Sequence, residues 1–216
     1  MERSPHRVGD VMTRAVVAVG REARFKDIVA RMEQWQISAL PVVEGDGRVI
    51  GVVSEADLLP KEEFRDEDPD RRTQQNRLPD LAKAGALTAE QLMSTPAVTV
   101  RADATLAEAA RIMALRQVKR LPVVTAEGLL DGVVSRGDLL KVFLRPDQDL
   151  ADEIRRDVVD PLFPAPVEPV HITVTDGVAT LTGRVADGSR IPLAVRLVRG
   201  VEGVVRVDCR LTAADT

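Results

Sequence analysis

The residues of this chain best suited to hold a ligand are two serine and aspartate pairs set in one repeated phrase. Ser54 and Asp57 stand in "GVVSEADLL" at 51–59, and Ser135 and Asp138 stand in "GVVSRGDLL" at 132–140. A serine that closes an apolar strand, with an acid three residues on, has two uses. One is a capping box, in which Ser54 and Ser135 cap the helices that follow while Asp57 and Asp138 face their positive ends. The other is a cradle for a ribose phosphate. A helix start offers N–H groups to phosphate, and a carboxylate accepts both hydroxyls of a ribose. Local sequence leaves both uses open.

The phrases belong to a longer duplication. Asp57 and Asp138, Pro41 and Pro122, and Met12 and Met93 are each 81 residues apart, so the register runs without a gap. In the first copy "VMTRAVVAVG" predicts a short strand. "ARFKDIVARMEQWQI" then predicts a helix, with Phe25, Ile28, Val29, Met32 and Trp35 at helical spacing. "ALPVVEGDGRVIGVVS" predicts a hairpin turning at Asp46-Gly47, and "SEADLL" opens a final helix. The second copy repeats this order as "AVTV", "TLAEAARIMALRQV" with Leu106, Ala109, Ala110 and Met113 inward, "RLPVVTAEGLLDGVVS" and "RGDLLKVFL". Each copy reads β-α-β-β-α. Two half-sized units pack as one domain, because neither buries its apolar side alone.

The expected class is therefore α/β (α+β), with repeats at 1–59 and 86–145 and a smaller domain at 146–216. Residues 60–85, dense in charge and proline, read as a solvated connection with a short helical piece around Arg72 to Arg77 and no site. After Pro146, "DLADEIRRDVVDPLF" predicts a helix striped by Leu150, Ile154 and Val158 and capped by an aspartate. "EPVHITVTDGVATLTGRV" predicts a hairpin turning at Asp176-Gly177, "RIPLAVRLVRG" a helix and "GVVRVDCRL" a strand. That order is α-β-β-α-β.

Composition narrows the function classes. The net charge is −4, so no global positive field draws nucleic acid or anionic lipid. The chain has no tyrosine and 2% aromatic residues, too few to stack single-stranded bases. Its two histidines, His6 and His171, and its single cysteine, Cys209, make no metal-ligand spacing and no catalytic triad. Cys209 alternates with Val207 and Leu211 and reads as a core residue of a protein in a reducing compartment. No Gly-rich phosphate loop is present. With a polar N-terminus and no run of eighteen apolar residues, the expectation is a cytoplasmic protein without catalytic residues or metal.

The tandem units, each with "LPVV", a glycine after a hairpin and "GVVSxxDLL", resemble a pair of cystathionine β-synthase (CBS) domains, a Bateman module, over residues 8–144. The tail, with "TDGVATLTGRV" and "VRGVEGVVRV", resembles a BON domain over 147–212. The first resemblance implies a regulatory module binding an adenosine nucleotide (AMP, ADP or ATP) between the repeats. It implies that Ser135 and Asp138 hold phosphate and ribose in one site, and Ser54 and Asp57 in the other. The adenine would lie against Thr95, Ala97, Val98, Lys119, Arg120, Leu121 and Pro122 in the second repeat, and against Thr13, Val16, Ser38, Ala39 and Leu40 in the first.

The middle letters of the two phrases differ in charge. Arg136 joins Lys119 and Arg120 in the second copy, whereas the first has Glu55 with Ser38 and Ala39. Pairing residues within each repeat thus expects the phosphorylated ligand in the second site, and an empty or less charged first site, unless the clefts borrow residues across repeats. The resemblance also implies a homodimer, with a small-molecule nucleotide and an unidentified protein as partners. In the BON-like tail, Arg190, Arg196, Arg199 and Arg206 raise a lipid surface, which the acids of the same tail, Asp152, Glu153, Asp157 and Asp160 among them, disfavour. The competing reading is an unliganded dimerisation scaffold whose BON-like domain binds a protein or membrane surface.

Overall fold

Both halves of the duplication fold by the same local logic. In the computed structural model, which describes residues 6–65 and 77–214, the first copy begins with α1 (Val8–Val11), β1 (Val19–Gly20) and α2 (Phe25–Trp35). It continues with β2 (Ala39–Val43), β3 (Val49–Ser54), α3 (Glu55–Leu58) and α4 (Pro60–Glu63). Then come α5 (Leu78–Gly85) and the second copy: α6 (Ala89–Leu92), β4 (Val100–Arg101), α7 (Leu106–Leu115), β5 (Arg120–Val124), β6 (Leu130–Ser135) and α8 (Arg136–Leu139). The β-branched runs flanking Gly47 pair as an antiparallel hairpin, and β1 adds in parallel to β2, giving the order β1-β2-β3. The second copy gives β4-β5-β6, with its bulge 81 residues on from the first, at Val123/Val124 against Val42/Val43.

The opening strands expected at 11–20 and 97–100 shrink to two-residue strands, Val19–Gly20 and Val100–Arg101, and a short helix, Val8–Val11 or Ala89–Leu92, precedes each. Local apolar content favours a strand, but these segments meet the other repeat instead. Val8 N–H donates to Ala104 O at 2.9 Å, and its counterpart Ala89 N–H donates to Ala23 O at 2.8 Å. Thr13 bridges Val133, and Ser94 bridges Val52. Across the turns Val49 N–H reaches Gly128 O, and Leu130 N–H reaches Gly47 O. Every one of these contacts maps onto another by an 81-residue step, the signature of a pseudo-two-fold axis between the repeats.

The exchange has energetic consequences. Ala86, Ala89 and Leu92, which open the second repeat, are buried in one cluster with Val19, Ile28, Met32, Leu40, Val42 and Val53 of the first. A fully buried leucine contributes roughly 2 kcal/mol through burial. The first repeat's core is therefore incomplete without residues from the second. Helix α2 buries Ile28 and Met32, but Trp35 is 56% exposed, since the helix ends there and Gln36 turns left-handed (φ 50°). Val29 and Ala110 also face outward rather than inward.

The stretch read as a connection, 60–85, is helical at both described ends, in α4 and α5. Pro60 and Pro79 sit in the first turns of these helices, where a missing N–H costs nothing. Residues 72–76 of the predicted helical piece lie outside the described residues.

The second unit comprises His6 and the chain from Leu140 onward. Helix α9 (Asp147–Ile154) continues through one π turn at Arg155–Val159. Strands β7 (Glu168–Thr175), β8 (Val178–Val185) and β9 (Arg206–Ala213) form a sheet in that order, with β9 parallel to β8, and α10 (Ile191–Arg199) connects those two strands. Leu150, Ile154, Val158, Val170, Ile172, Ala179, Leu181 and Leu211 form its core, with Cys209 packed at the edge and His171 on the exposed face, both as the alternation predicts. The hairpin turns at Asp176 and Gly177, both at positive φ. Asp147 does not cap its own helix. Its carboxylate accepts the Asp176 and Gly177 N–H groups at 2.8 and 2.9 Å, tying α9 to the turn. His6 donates its backbone N–H to Glu202 Oε2 at 2.9 Å, and the ring Nδ1 lies 2.6 Å from the same oxygen.

Candidate ligand cleft in the tandem repeat

The repeated phrase folds identically in both copies. Ser54 N–H and Oγ–H donate to Asp57 Oδ2, each at 2.7 Å; Ser135 N–H and Oγ–H donate to Asp138 Oδ2 at 2.8 and 2.6 Å. The capping geometry is thus present. It leaves little of the helix start for an anion, however. Helix α3 has four residues, and its first N–H, from Glu55, already donates to Ser38 O at 3.1 Å, as Arg136 N–H does to Lys119 O. What the phrase offers a ligand is its side chains rather than a row of free N–H groups.

Asp57 is the one charged or polar residue among the described residues that is buried, at 7% exposure. A carboxylate so removed from water needs partners on both oxygens. Oδ2 has Ser54; Oδ1 accepts from Ser94 Oγ at 3.4 Å and pairs with Lys83 Nζ. Lys83 belongs to α5, inside the stretch whose sequence reads as a connection without a site. Proline and glycine bracketing "LPDLAKAG" are the helix signals that could have revealed it. Ser94 was findable as the counterpart of Thr13.

A cavity of about 270 Å³ opens beside Asp57. Its first-repeat wall includes Ser38, Ala39, Ser54, Glu55 and Asp57. Its second-repeat wall includes Pro96, Ala97, Val98, Lys119 and Arg120, with Pro41 and Pro122 both lining it. Apolar side chains, two cations and a serine–aspartate pair converge on one space near the lower size limit for small-ligand sites, roughly 300 Å³.

Pairing residues within each repeat does not match this geometry. Ala97, Val98, Lys119 and Arg120, assigned from sequence to the Ser135 and Asp138 site, line the cavity of Ser54 and Asp57. The reason is the exchanged opening segment: Ser94 is hydrogen-bonded to Val52, and Thr95 Oγ1 donates to Ile50 O at 3.0 Å, so this stretch of copy two runs along β3 of copy one. Thr13 runs along β6 through Val133, bringing it to the strand that ends at Ser135. The cavity therefore combines Lys119 and Arg120 with Glu55, not with Arg136. Val16, Arg136 and Asp138 do not line it, and Leu40 and Leu121 are wholly buried in the cores beneath.

Comparison with known proteins agrees with this architecture. The CBS domain model matches residues 8–61 and 89–145, and the BON domain model matches 146–215. The chain belongs to the CBS-domain family, carrying a tandem CBS pair followed by a BON domain. It is 28% identical over 153 residues to the uncharacterized protein MJ1426 of Methanocaldococcus jannaschii, covering 63% of this chain and 90% of that one. It is 28% identical over 151 residues to the chloroplastic CBS domain-containing protein CBSX2 of Arabidopsis thaliana, covering 64% and 63%. The match spans only 31% of MJ1404 and 61% of MK0525, two other archaeal relatives. Among solved structures, the crystal structure of CBSX2 in complex with AMP superposes with a TM-score of 0.57 at 29% identity, covering 64% of this chain and 97% of that one. No helix among the described residues is long and apolar enough to cross a membrane.

Proposed function

We propose that this chain is a non-enzymatic regulatory protein that binds an adenosine nucleotide of the AMP, ADP or ATP type in the cleft beside Asp57. The observation that carries the reading is the convergence, in one cavity, of the Ser54 and Asp57 pair with Ala97, Val98, Lys119 and Arg120. Asp57 and Ser54 would receive the ribose, Lys119 and Arg120 the phosphate, and the apolar walls the adenine. The AMP complex of CBSX2 supports the choice of ligand class.

The ligand would touch both repeats, so its binding energy would favour one packing of the pair over another. That bias would pass to the BON domain or to a protein partner, in a cytoplasmic homodimer. Thr13, Val16, Ser135, Arg136 and Asp138 would form the second, pseudo-symmetric site. Calorimetric titration with AMP, ADP, ATP, NADH and S-adenosylmethionine tests this, run on the natural protein, Asp57→Ala and Asp138→Ala. Loss of binding in Asp57→Ala with retention in Asp138→Ala is the expected result. No heat with any compound would leave the scaffold reading, in which the CBS pair dimerises unliganded and the BON domain binds a protein or membrane surface.

A further inference from the structure

We propose that Lys83 is a built-in competitor for the ligand at Asp57, so that nucleotide binding must detach helix α5. The proposal rests on the nucleotide reading above. Asp57 is fully engaged: Oδ2 by Ser54 N–H and Oγ–H, Oδ1 by Lys83 and Ser94. A carboxylate offers about four lone-pair positions in all, so a ribose hydroxyl has to replace one of these donors.

The donors differ in how firmly they are held. Ser54 N–H is fixed by the strand-to-helix turn, and Ser94 is pinned by reciprocal backbone bonds with Val52. Lys83 stands on a four-carbon stem, in a helix with no buried residue. Its side chain is 20% exposed and that of Asp57 is 10% exposed, so solvent screens the pair little, yet water can take the ammonium once it is displaced. Apart from this pair, α5 is tied down by polar contacts to α4: Lys61 Nζ donates to Ala84 O at 2.8 Å and Arg77 Nη2 to Glu63 Oε2 at 2.9 Å. Replacing Lys83 by ribose hydroxyls would therefore loosen α5 at its ion pair with α3.

The test uses the full chain with AMP as the probe, and the variants Lys83→Met, which keeps the stem, and Lys83→Arg, which keeps the charge. Lys83→Met is expected to bind AMP about tenfold tighter, as loss of one charge-assisted competitor implies, with Lys83→Arg close to the natural protein. Hydrogen exchange supplies a second readout. AMP should speed amide exchange across α5 in the natural protein, and Lys83→Met should show that speed without ligand. If Lys83→Met does not fold, the exchange of the natural protein decides alone. Equal or weaker AMP binding by Lys83→Met, or α5 amides unchanged or protected by AMP, removes the competitor while leaving nucleotide binding in place. AMP binding to none of the three proteins overturns both readings.

Discussion

Thr13 and Val133 trade both of their backbone hydrogen bonds, Thr13 N–H to Val133 O and Val133 N–H to Thr13 O, each at 2.9 Å. Their counterparts, Ser94 and Val52, do the same at 2.9 and 3.2 Å. Each repeat thus lends its opening segment to the other, and the cleft beside Asp57 is assembled from both. The folding unit is the pair.

The shared core makes one residue decisive for both copies. Leu92 precedes the second repeat's strands yet is wholly buried in the first repeat's cluster. Leu92→Ala should cost about 2–4 kcal/mol through transfer and cavity terms. Chemical denaturation should show one cooperative transition shifted to lower denaturant. Two separate transitions, with only one shifted, would mean that the repeats fold independently.

The cations of the cleft should read phosphate rather than adenosine. Replacing both Lys119 and Arg120 by alanine should weaken AMP relative to adenosine by roughly tenfold, since each charge-assisted hydrogen bond is worth about 1.5–3 kcal/mol and solvent recovers part of it. Titration of both compounds into both proteins measures the ratio. A similar fall for adenosine would indicate lost packing instead of lost charge.

Acid should act on the start of α7. Thr105 N–H and Oγ1 donate to Glu108 Oε2 at 2.8 and 3.1 Å, and these bonds, the backbone one first, hold the Glu108 carboxyl below its usual 4.5. A folded pKa below the unfolded one stabilises above pH 4.5, and that contribution is lost as pH falls through the folded value. Between pH 7 and the acid range, the melting temperature of the natural protein should fall more steeply than that of Glu108→Gln. Parallel curves would remove Glu108 from the account.

In the BON domain, Gly183 holds a backbone that side chains resist. Its φ is 135°, and a Cβ there would lie 2.6 Å from Pro169 O. Gly183→Ala should destabilise this domain by about 2 kcal/mol or more, from strain plus the collision with the neighbouring strand. Denaturation followed with a probe in the BON domain reports it, and an unchanged midpoint would mean that β7 yields without cost.

Much of this protein was determined by sequence alone. The 81-residue register sets the two hairpins and their helices, because turn glycines, β-branched runs and helical stripes act over a few residues. The alternation of Val170, Ile172, Ala179 and Leu181 likewise sets the BON hairpin. The serine and aspartate pairs were legible for the same reason, since their capping bonds span three residues. Only the tertiary structure decided which residues share a cleft. Val16 and Ala97 occupy matching positions of the duplication, so the pattern alone makes the two equivalent as partners for Ser54. The choice between them lies in which repeat each opening segment packs against. Lys83 was hidden likewise, for nothing local distinguishes a lysine in a charged stretch from one that reaches Asp57 from 26 residues away. Local chemistry is written in spacing; long-range pairing is settled by which surfaces bury together.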